Sequence, residues 1–461
     1  MMKNMMERYV ILNPEYKLIE SPGFGVIYKK KESVALDKII FRVKENNTSV
    51  WINSDALKIL ELCDGKRRIK DIIEMIVSEE NCNKSEIEKI KEFLFLAYRN
   101  EHILIDDLPI KKGMEIGGSK EFYMPLHLSI ELTDSCNLNC AHCYRSKASN
   151  YIDPDKLDIF IRKMSKETLM GVELTGGEPI LHPDFIDIVE CCVKNLNIVG
   201  VLTNGTLLTE KMIEKLSAYR DSLFFGISLD SHDPEYHDRF RGMRGAWEKT
   251  VRNVERLINK GFLVRVGMSV NQENMYHIEP LLEFCMRIGV KAFTYSPIMP
   301  FGNAKSFRWE IEDLKKLAEI EKRVHKKYGK VIPIVKEHSS SSEGLYPNNC
   351  GAGWKTFVMD PRGYIRPCVV SDSRHNIGRI DFENPRKFFE KNKEISNIYA
   401  NLLLPGKGVC DNCRYINFCS MCILRAEKVL NEGLIDPGDC KWFKKIGKEK
   451  LDKIGGIIHG D

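Results

Sequence analysis

The chain of 461 residues carries 70 Lys and Arg against 65 Asp and Glu, with 43% hydrophobic and 29% charged residues. These are the proportions of an ordinary globular chain, and they exclude disordered, collagen-like and coiled-coil classes. A net charge of +5 over this length points to no nucleic-acid partner, and the length predicts about three domains.

The N-terminus, MMKNMMERYV, has no uninterrupted apolar segment and no small-residue cleavage site. No stretch reaches the roughly 18 apolar residues of a membrane helix. A cytoplasmic protein with reduced thiols and no membrane contact is expected. Residues 1–110 read as a small α+β unit. KLIES, GVIYKK and KIIFRV (38–43) are predicted strands, with Gly23 and Gly25 marking turns. Ser54 is placed to cap the helix DALKILELCDG, which Gly65 would end. IKDIIEMIVSEE and SEIEKIKEFLFLAYRNEHIL are amphipathic helices; Ile87, Ile90, Phe93, Leu94 and Ala97 follow helical spacing in the second. Residues 111–123, with several glycines, read as a linker.

Over 124–335 strand and helix alternate. LHLSIELT, GVELT, IVGVLT, SLFFGISLD, FLVRVGMSV and KAFTYS are six predicted strands. Regular alternation of this kind implies a parallel sheet or barrel, with its site at the C-terminal strand ends. Six units predict a partial (β/α)6 barrel within an α/β fold. CNLNCAHC, TGGEP and TNGT follow the first three strands, and Ser228 and Asp230 end the fourth. A further helix and a polar loop, KEHSSSSEGLYPNN, lead into a cysteine-rich tail; residues 336–461 form the third predicted domain.

The count of 15 cysteines is odd, and a core of this size needs no disulfide staples. Cys63, Cys82, Cys191, Cys192 and Cys285 are scattered through helix-like sequence and read as small core hydrophobes. Cys136, Cys140 and Cys143 form one cluster at CxxxCxxC spacing. Cys350, Cys368, Cys410, Cys413, Cys419, Cys422 and Cys440 form another in the last quarter of the chain. A structural zinc site takes four ligands, and the first loop offers three. A [4Fe–4S] cluster held by only three thiolates keeps one iron free for another ligand.

CNLNCAHCY (136–144), GGEP (176–179), TNGT (203–206), SLDS (228–231) and HDRFRG (237–242) together resemble the radical S-adenosylmethionine (SAM) superfamily. The resemblance implies that Cys136, Cys140 and Cys143 ligate a [4Fe–4S] cluster whose fourth iron chelates SAM. An electron from the cluster would split the sulfonium, and the 5′-deoxyadenosyl radical would take a hydrogen atom from substrate. By motif position Gly176, Gly177 and Glu178 meet the methionine amino end, with Glu178 as acceptor. Ser228 falls at the ribose, Arg241 at the SAM carboxylate, and His142 beside adenine. Asn204 is either part of this set or simply shapes its turn. The plainer alternatives are a strand-to-helix turn at GGEP, a strand-end cap at Ser228 and a solvated charge at Arg241.

C-x12-G-x4-C over Cys350, Gly363 and Cys368, then C-x2-C-x5-C-x2-C and a lone Cys440, resembles the SPASM extension with two auxiliary iron–sulfur clusters. The family quartet ends in C-x3-C; here the last gap is two residues. The resemblance implies an outer cluster on Cys410, Cys413, Cys419 and Cys440. It implies an inner one on Cys350, Cys368 and Cys422, one ligand short, where an open iron would suit a substrate thiolate. Zinc knuckles are the alternative. Sulfatase-maturing members place Asp after the cysteine matching Cys368; Val369 stands here, which argues against that oxidation.

ALKILELCDGKRRIKDIIEMI resembles the leader-binding domain of ribosomal peptide maturases, similar to the chaperone of pyrroloquinoline quinone biosynthesis. Such a unit is winged-helix-like and takes an extended leader as an added strand. Together these resemblances predict a peptide maturase forming thioether or carbon–carbon cross-links. Its expected partners are a precursor peptide and an electron donor such as flavodoxin or ferredoxin. A SAM enzyme acting on a porphyrin- or quinone-type precursor, and an iron–sulfur winged-helix regulator, are the rival readings.

Overall fold

The computed structural model describes residues 5–30, 49–80, 82–110, 115–143, 145, 148–299, 302–336, 349–406, 408–419, 422–431 and 433–455. They fall into two compact units, one within Met1–Met124 with Lys166–Thr168, the other from Pro125 through the C-terminal region.

The first unit holds strands β1 (Tyr9–Leu12), β2 (Tyr16–Ser21), β3 (Phe24–Lys29), β4 (Ser49–Asn53), β5 (Asp64–Arg68), β6 (Ile103–Asp106) and β7 (Ile116–Gly118). β4, β3 and β2 run antiparallel in register, Phe24 facing Asn53 and Ser21, and β7 adds in parallel to β2. β1 is sandwiched between β5 and β6 in a second sheet. The first helix, Ser54–Glu61, is capped by Asn53, not by Ser54: the Asn53 side chain accepts from the Ala56 N–H at 2.9 Å. It ends at Glu61, and Gly65 lies inside β5. Two more helices follow, Ile69–Glu80 and Lys84–Arg99, the latter closed by a capping box between Asn83 and Glu86. Their apolar stripes, with Leu57, Leu60, Ile72 and Leu94, bury against Val10, Leu18 and Ile27, and Cys63 is fully buried among them. Among the described residues four strands precede the first helix, and β5 stands between the first and second helices. KIIFRV lies outside the described residues, as does most of KEHSSSSEGLYPNN.

The second unit is built on one ten-stranded sheet. Its central strands are β8 (His127–Thr133), β9 (Gly171–Gly176), β10 (Ile198–Thr203), β11 (Leu223–Ser228), β12 (Leu263–Val270) and β13 (Ala292–Pro297), the six that were predicted. They run parallel in chain order, joined by helices such as Phe185–Asn195 and Ala246–Asn259. Along them buried apolar residues such as Leu128, Ile130, Val172, Val264 and Val266 alternate with small or polar ones such as Ser129, Glu173, Arg265 and Gly267. Four further strands extend the sheet. β14 (Ile334–Lys336) pairs in parallel with β13, and β15 (Thr356–Met359) in parallel with β8. β16 (Tyr364–Arg366) and β17 (Gly378–Arg379) continue antiparallel from β15. The cysteine-rich tail thus belongs to the barrel's own sheet. Among the described residues the sheet's edges are β14 and β17, as in an open partial barrel. No helix among the described residues is long and apolar enough to cross a membrane.

Candidate active site

A cavity of about 390 Å³ opens at the C-terminal ends of the parallel strands. Cys136, Cys140 and Cys143 all line it, on the loop that leaves β8. The loop is held on two sides. Asn139 N–H donates to the Arg241 carbonyl at 3.2 Å and Ala141 N–H to that of Phe240 at 2.9 Å. Gly177 N–H donates to the Thr133 carbonyl at 2.7 Å, and Glu178 N–H to that of Ser135 at 2.8 Å. The glycines are dictated by this closeness. A Cβ on Gly177 would lie 2.2 Å from the Ser135 carbonyl oxygen, and one on Gly176, where φ is +138°, 2.4 Å from that of Thr133. Gly242, at φ +66°, ends the helix Pro234–Arg241 and abuts the Asn139 carbonyl in the same way.

Glu178 lies behind the cavity wall. It is fully buried, and its oxygens accept from Thr203 Oγ1 at 2.6 Å, Asn204 N–H at 2.8 Å and Ile180 N–H at 3.3 Å. Burial pushes its carboxyl up to about 7 against these bonds. The carboxylate ties the ends of β9 and β10 together and does not face the cavity. Asn204 also lies on the cavity wall, and its side chain ties the cysteine loop to its own turn. Nδ2 donates to Asn137 and Oδ1 accepts from Thr206. Of the sequence-predicted cofactor set, the structure brings His142, Gly176, Gly177, Asn204, Ser228 and Arg241 to the same cavity as the three cysteines.

Arg241 is buried, with Nε donating to Asp230 Oδ2 at 2.5 Å and a terminal nitrogen 3.9 Å from the Cys140 sulfur. Burial works to raise the Asp230 carboxyl, but Arg241, with His142 and His237 nearby, outweighs it and holds the group below the usual range. His142 stacks on Phe240 at 4.4 Å between ring centroids, and its buried Nδ1 has no hydrogen-bond partner among the described residues. Burial pushes the Cys136 thiol up to about 11, helped by Glu178, Cys140 and Cys143. Three thiols around one cavity, a backbone cradle with no room for a Cβ and an orphaned imidazole nitrogen fit an iron–sulfur cluster with an organic ligand beside it.

The second cysteine group divides in space. Cys410, Cys413, Cys419 and Cys440 surround one small cavity near Trp442. Cys419 is raised by burial and by the other three thiols and Cys422. Cys368 and Cys422 open onto the main cavity, and Cys422 lies close enough to Cys350 to raise its thiol, which burial raises most. None of the 15 cysteines is in a disulfide. Among the described residues no three His, Cys, Asp or Glu side chains close on a single metal ion; the thiols stand around cavities instead. Cys63, Cys192 and Cys285 are buried, while Cys82 and Cys191 are partly so.

Spacing gave no sign of several residues of this site. Glu131, near the end of β8, is buried between Arg145, just past the cysteine loop, and Arg366, which also donates to the Cys368 carbonyl. Arg425 carries no motif. Asp230 is placed at the end of the fourth strand by its sequence, but its pairing with Arg241 is visible only in the fold.

Residues 130–285 match the radical SAM superfamily. A curated relative is the antilisterial bacteriocin subtilosin biosynthesis protein AlbA of Bacillus subtilis, 29% identical over 417 residues, 88% of this chain and 90% of that protein. The AdoMet-dependent heme synthase of Methanosarcina barkeri is 27% identical over 350 residues, 68% of this chain and 96% of that protein. The structure of Streptococcus suis SuiB bound to precursor peptide SuiA superposes with a TM-score of 0.62 at 14% identity, over 91% of this chain and 96% of that chain. Over residues 130–285 the chain carries a radical SAM domain, and the protein is an enzyme. Its cofactors are a [4Fe–4S] cluster and SAM, with auxiliary iron–sulfur clusters.

Proposed function

We propose that the protein is a radical SAM maturase of a ribosomally made peptide, forming a thioether or carbon–carbon cross-link. Cys136, Cys140 and Cys143 would hold the radical SAM cluster. The Gly176–Gly177 backbone, Ser228, Arg241 and His142 would hold SAM. When bound, the pair supplies a carbon radical able to take a hydrogen atom from an unactivated C–H bond. The chain's own part is to seat the substrate in the cavity and exclude water. Cys350, Cys368 and Cys422 would carry an inner auxiliary cluster on the cavity wall, and Cys410, Cys413, Cys419 and Cys440 an outer one that passes the electron on. Val369, not an acid, stands on the wall after Cys368, which leaves sulfatase-type oxidation without its base.

Residues 1–110 would capture the leader, 111–123 link, 124–335 generate the radical and 336–461 carry the auxiliary clusters. Among the described residues β4 ends its sheet; a leader would add as a further strand on this side of the unit, against β4 or against KIIFRV (38–43). Flavodoxin or ferredoxin would supply the electron, in the cytoplasm. The observation that carries this reading is that Cys368 and Cys422 share one cavity with Cys136, Cys140 and Cys143. Two neighbours support it: AlbA, a bacteriocin biosynthesis protein matched over nearly the whole chain, and SuiB, solved with a precursor peptide. The heme synthase, which favours the small-molecule reading, matches less of the chain.

The test is 5′-deoxyadenosine formation by anaerobically reconstituted enzyme after reduction, with mass spectrometry of the short peptide encoded beside the gene and co-expressed. Loss of two hydrogens per cross-link, abolished by Ala at Cys136, Cys140 and Cys143, is expected. Retained SAM cleavage in those variants, or an unmodified peptide that the protein does not bind, overturns it.

A further inference from the structure

Four arginines line the main cavity, and three of them have a carboxylate. Arg145 pairs with Glu131, Arg241 with Asp230, and Arg265 with Glu173 at 3.0 Å. Arg425 has none among the described residues. It is 3% exposed, donates to Ser296 Oγ at 3.2 Å and lies over the Phe418 ring at 5.7 Å. Guanidinium stays charged under all ordinary conditions. Burying it costs several kcal/mol unless an anion meets it, and a hydroxyl and a ring face supply only part of that. The other three arginines show that this fold supplies acids where it wants an arginine neutralised from within. Leaving this one open on the cavity wall, on the side of Cys368 and Cys422, is the arrangement of a binding subsite.

We infer that Arg425 and Ser296 form a carboxylate-binding subsite that fixes an acidic group of the substrate in the reaction cavity. A carboxylate suits the planar fork of Arg, which bonds it bidentately, while Ser296 holds the guanidinium in orientation from the end of β13. The inference rests on the peptide-maturase reading only for the source of the carboxylate, an acidic side chain or a C-terminus. A site built this way rejects the corresponding amide, because the amide leaves a buried charge unmet.

The full-length enzyme, with clusters reconstituted and SAM bound, is titrated with N-acetyl-aspartate N-methylamide and with the isosteric asparagine compound, and binding is read by ligand-observed NMR. The acid is expected to bind about tenfold or more tighter than the amide. N-acetyl-alanine, whose only carboxylate is terminal, distinguishes a C-terminus from a side chain. Arg425→Gln is expected to erase the preference, Arg425→Lys to keep part of it, and Ser296→Ala to reduce it; the last two serve if the first does not fold. Equal binding of acid and amide by the unaltered enzyme, or no binding of either, overturns the inference. So does loss of SAM affinity in Arg425→Gln, which would place SAM's carboxylate there, or loss of iron, which would make the charge a counter-ion to a cluster. The probes carry no leader and need no turnover, so failure here is distinguishable from failure of the 5′-deoxyadenosine test.

Discussion

Arg241 Nε meets Asp230 Oδ2 at 2.5 Å in a fully buried pair beside the Cys140 sulfur. Asp230 also accepts from the Ser269 N–H at 2.9 Å, so one carboxylate joins the end of β11, β12 and the helix that props the cysteine loop. Removing its charge strands a buried guanidinium. Asp230→Asn is expected to cost about 3 kcal/mol, read as a lowered urea midpoint, and to reduce iron loading at the radical site.

Gly242→Ala tests the loop's support from the other side. The backbone at Gly242 is left-handed, and an alanine Cβ there would lie 2.4 Å from the Asn139 carbonyl oxygen, which leaves the substitution no room. It should cost about 1 kcal/mol in backbone strain alone and more through the displaced loop. Iron and sulfide analysis after anaerobic reconstitution is expected to show the radical-site cluster lost and the auxiliary iron kept. Full iron in the variant would contradict it.

The two groupings of the tail cysteines separate by spectroscopy. Cys413→Ala should remove the signal of one auxiliary cluster and leave the radical SAM cluster able to cleave SAM. Cys422→Ala should remove the other and abolish peptide modification. Electron paramagnetic resonance of the singly and doubly substituted proteins checks this; zinc in place of the extra iron counts against both clusters.

Stability should depend on pH through His237. It is buried, accepts from the Asp230 N–H through Nδ1, and is held down to about 4 by burial, with Asp230 opposing. An unfolded histidine titrates near 6.5. As pH falls, the unfolded chain takes up the proton first. The contribution is therefore complete above about 6.5 and is lost toward 4, about 3 kcal/mol for a displacement of this size. His142, also lowered to about 4, acts in the same window. Urea midpoints measured across this range should decline with falling pH, and His237→Gln should flatten the slope.

The six central strands and the loops that follow them were legible because apolar runs and reactive clusters alternate at a regular interval. β14 and β15 were not, since three- and four-residue strands carry no readable period, and β15 takes its place beside β8 from the far side of the chain. Cysteine spacing carried the metal chemistry, yet the polar partners behind it were hidden. The motif marks Glu178 as a ligand, and gives no sign that Thr203 and Asn204 at the end of β10, with Ile180 of its own turn, also bond its carboxylate. Arg425 stood in a helix without any motif. Its meaning came only from the absence of a carboxylate beside it among the described residues, a fact of tertiary structure.

The pairing of Thr356 with His127 sets an order of events. β8 carries the radical cysteines at its end, and one of its two edges stays bare until the segment containing β15 has left the ribosome. An exposed edge of this kind invites wrong pairing, and contacts so distant in sequence form late. The strand that ends in the cysteine loop is therefore flanked on both sides only after most of the chain has been made. Truncation before β15 is expected to leave that edge of β8 open and the fragment prone to aggregation.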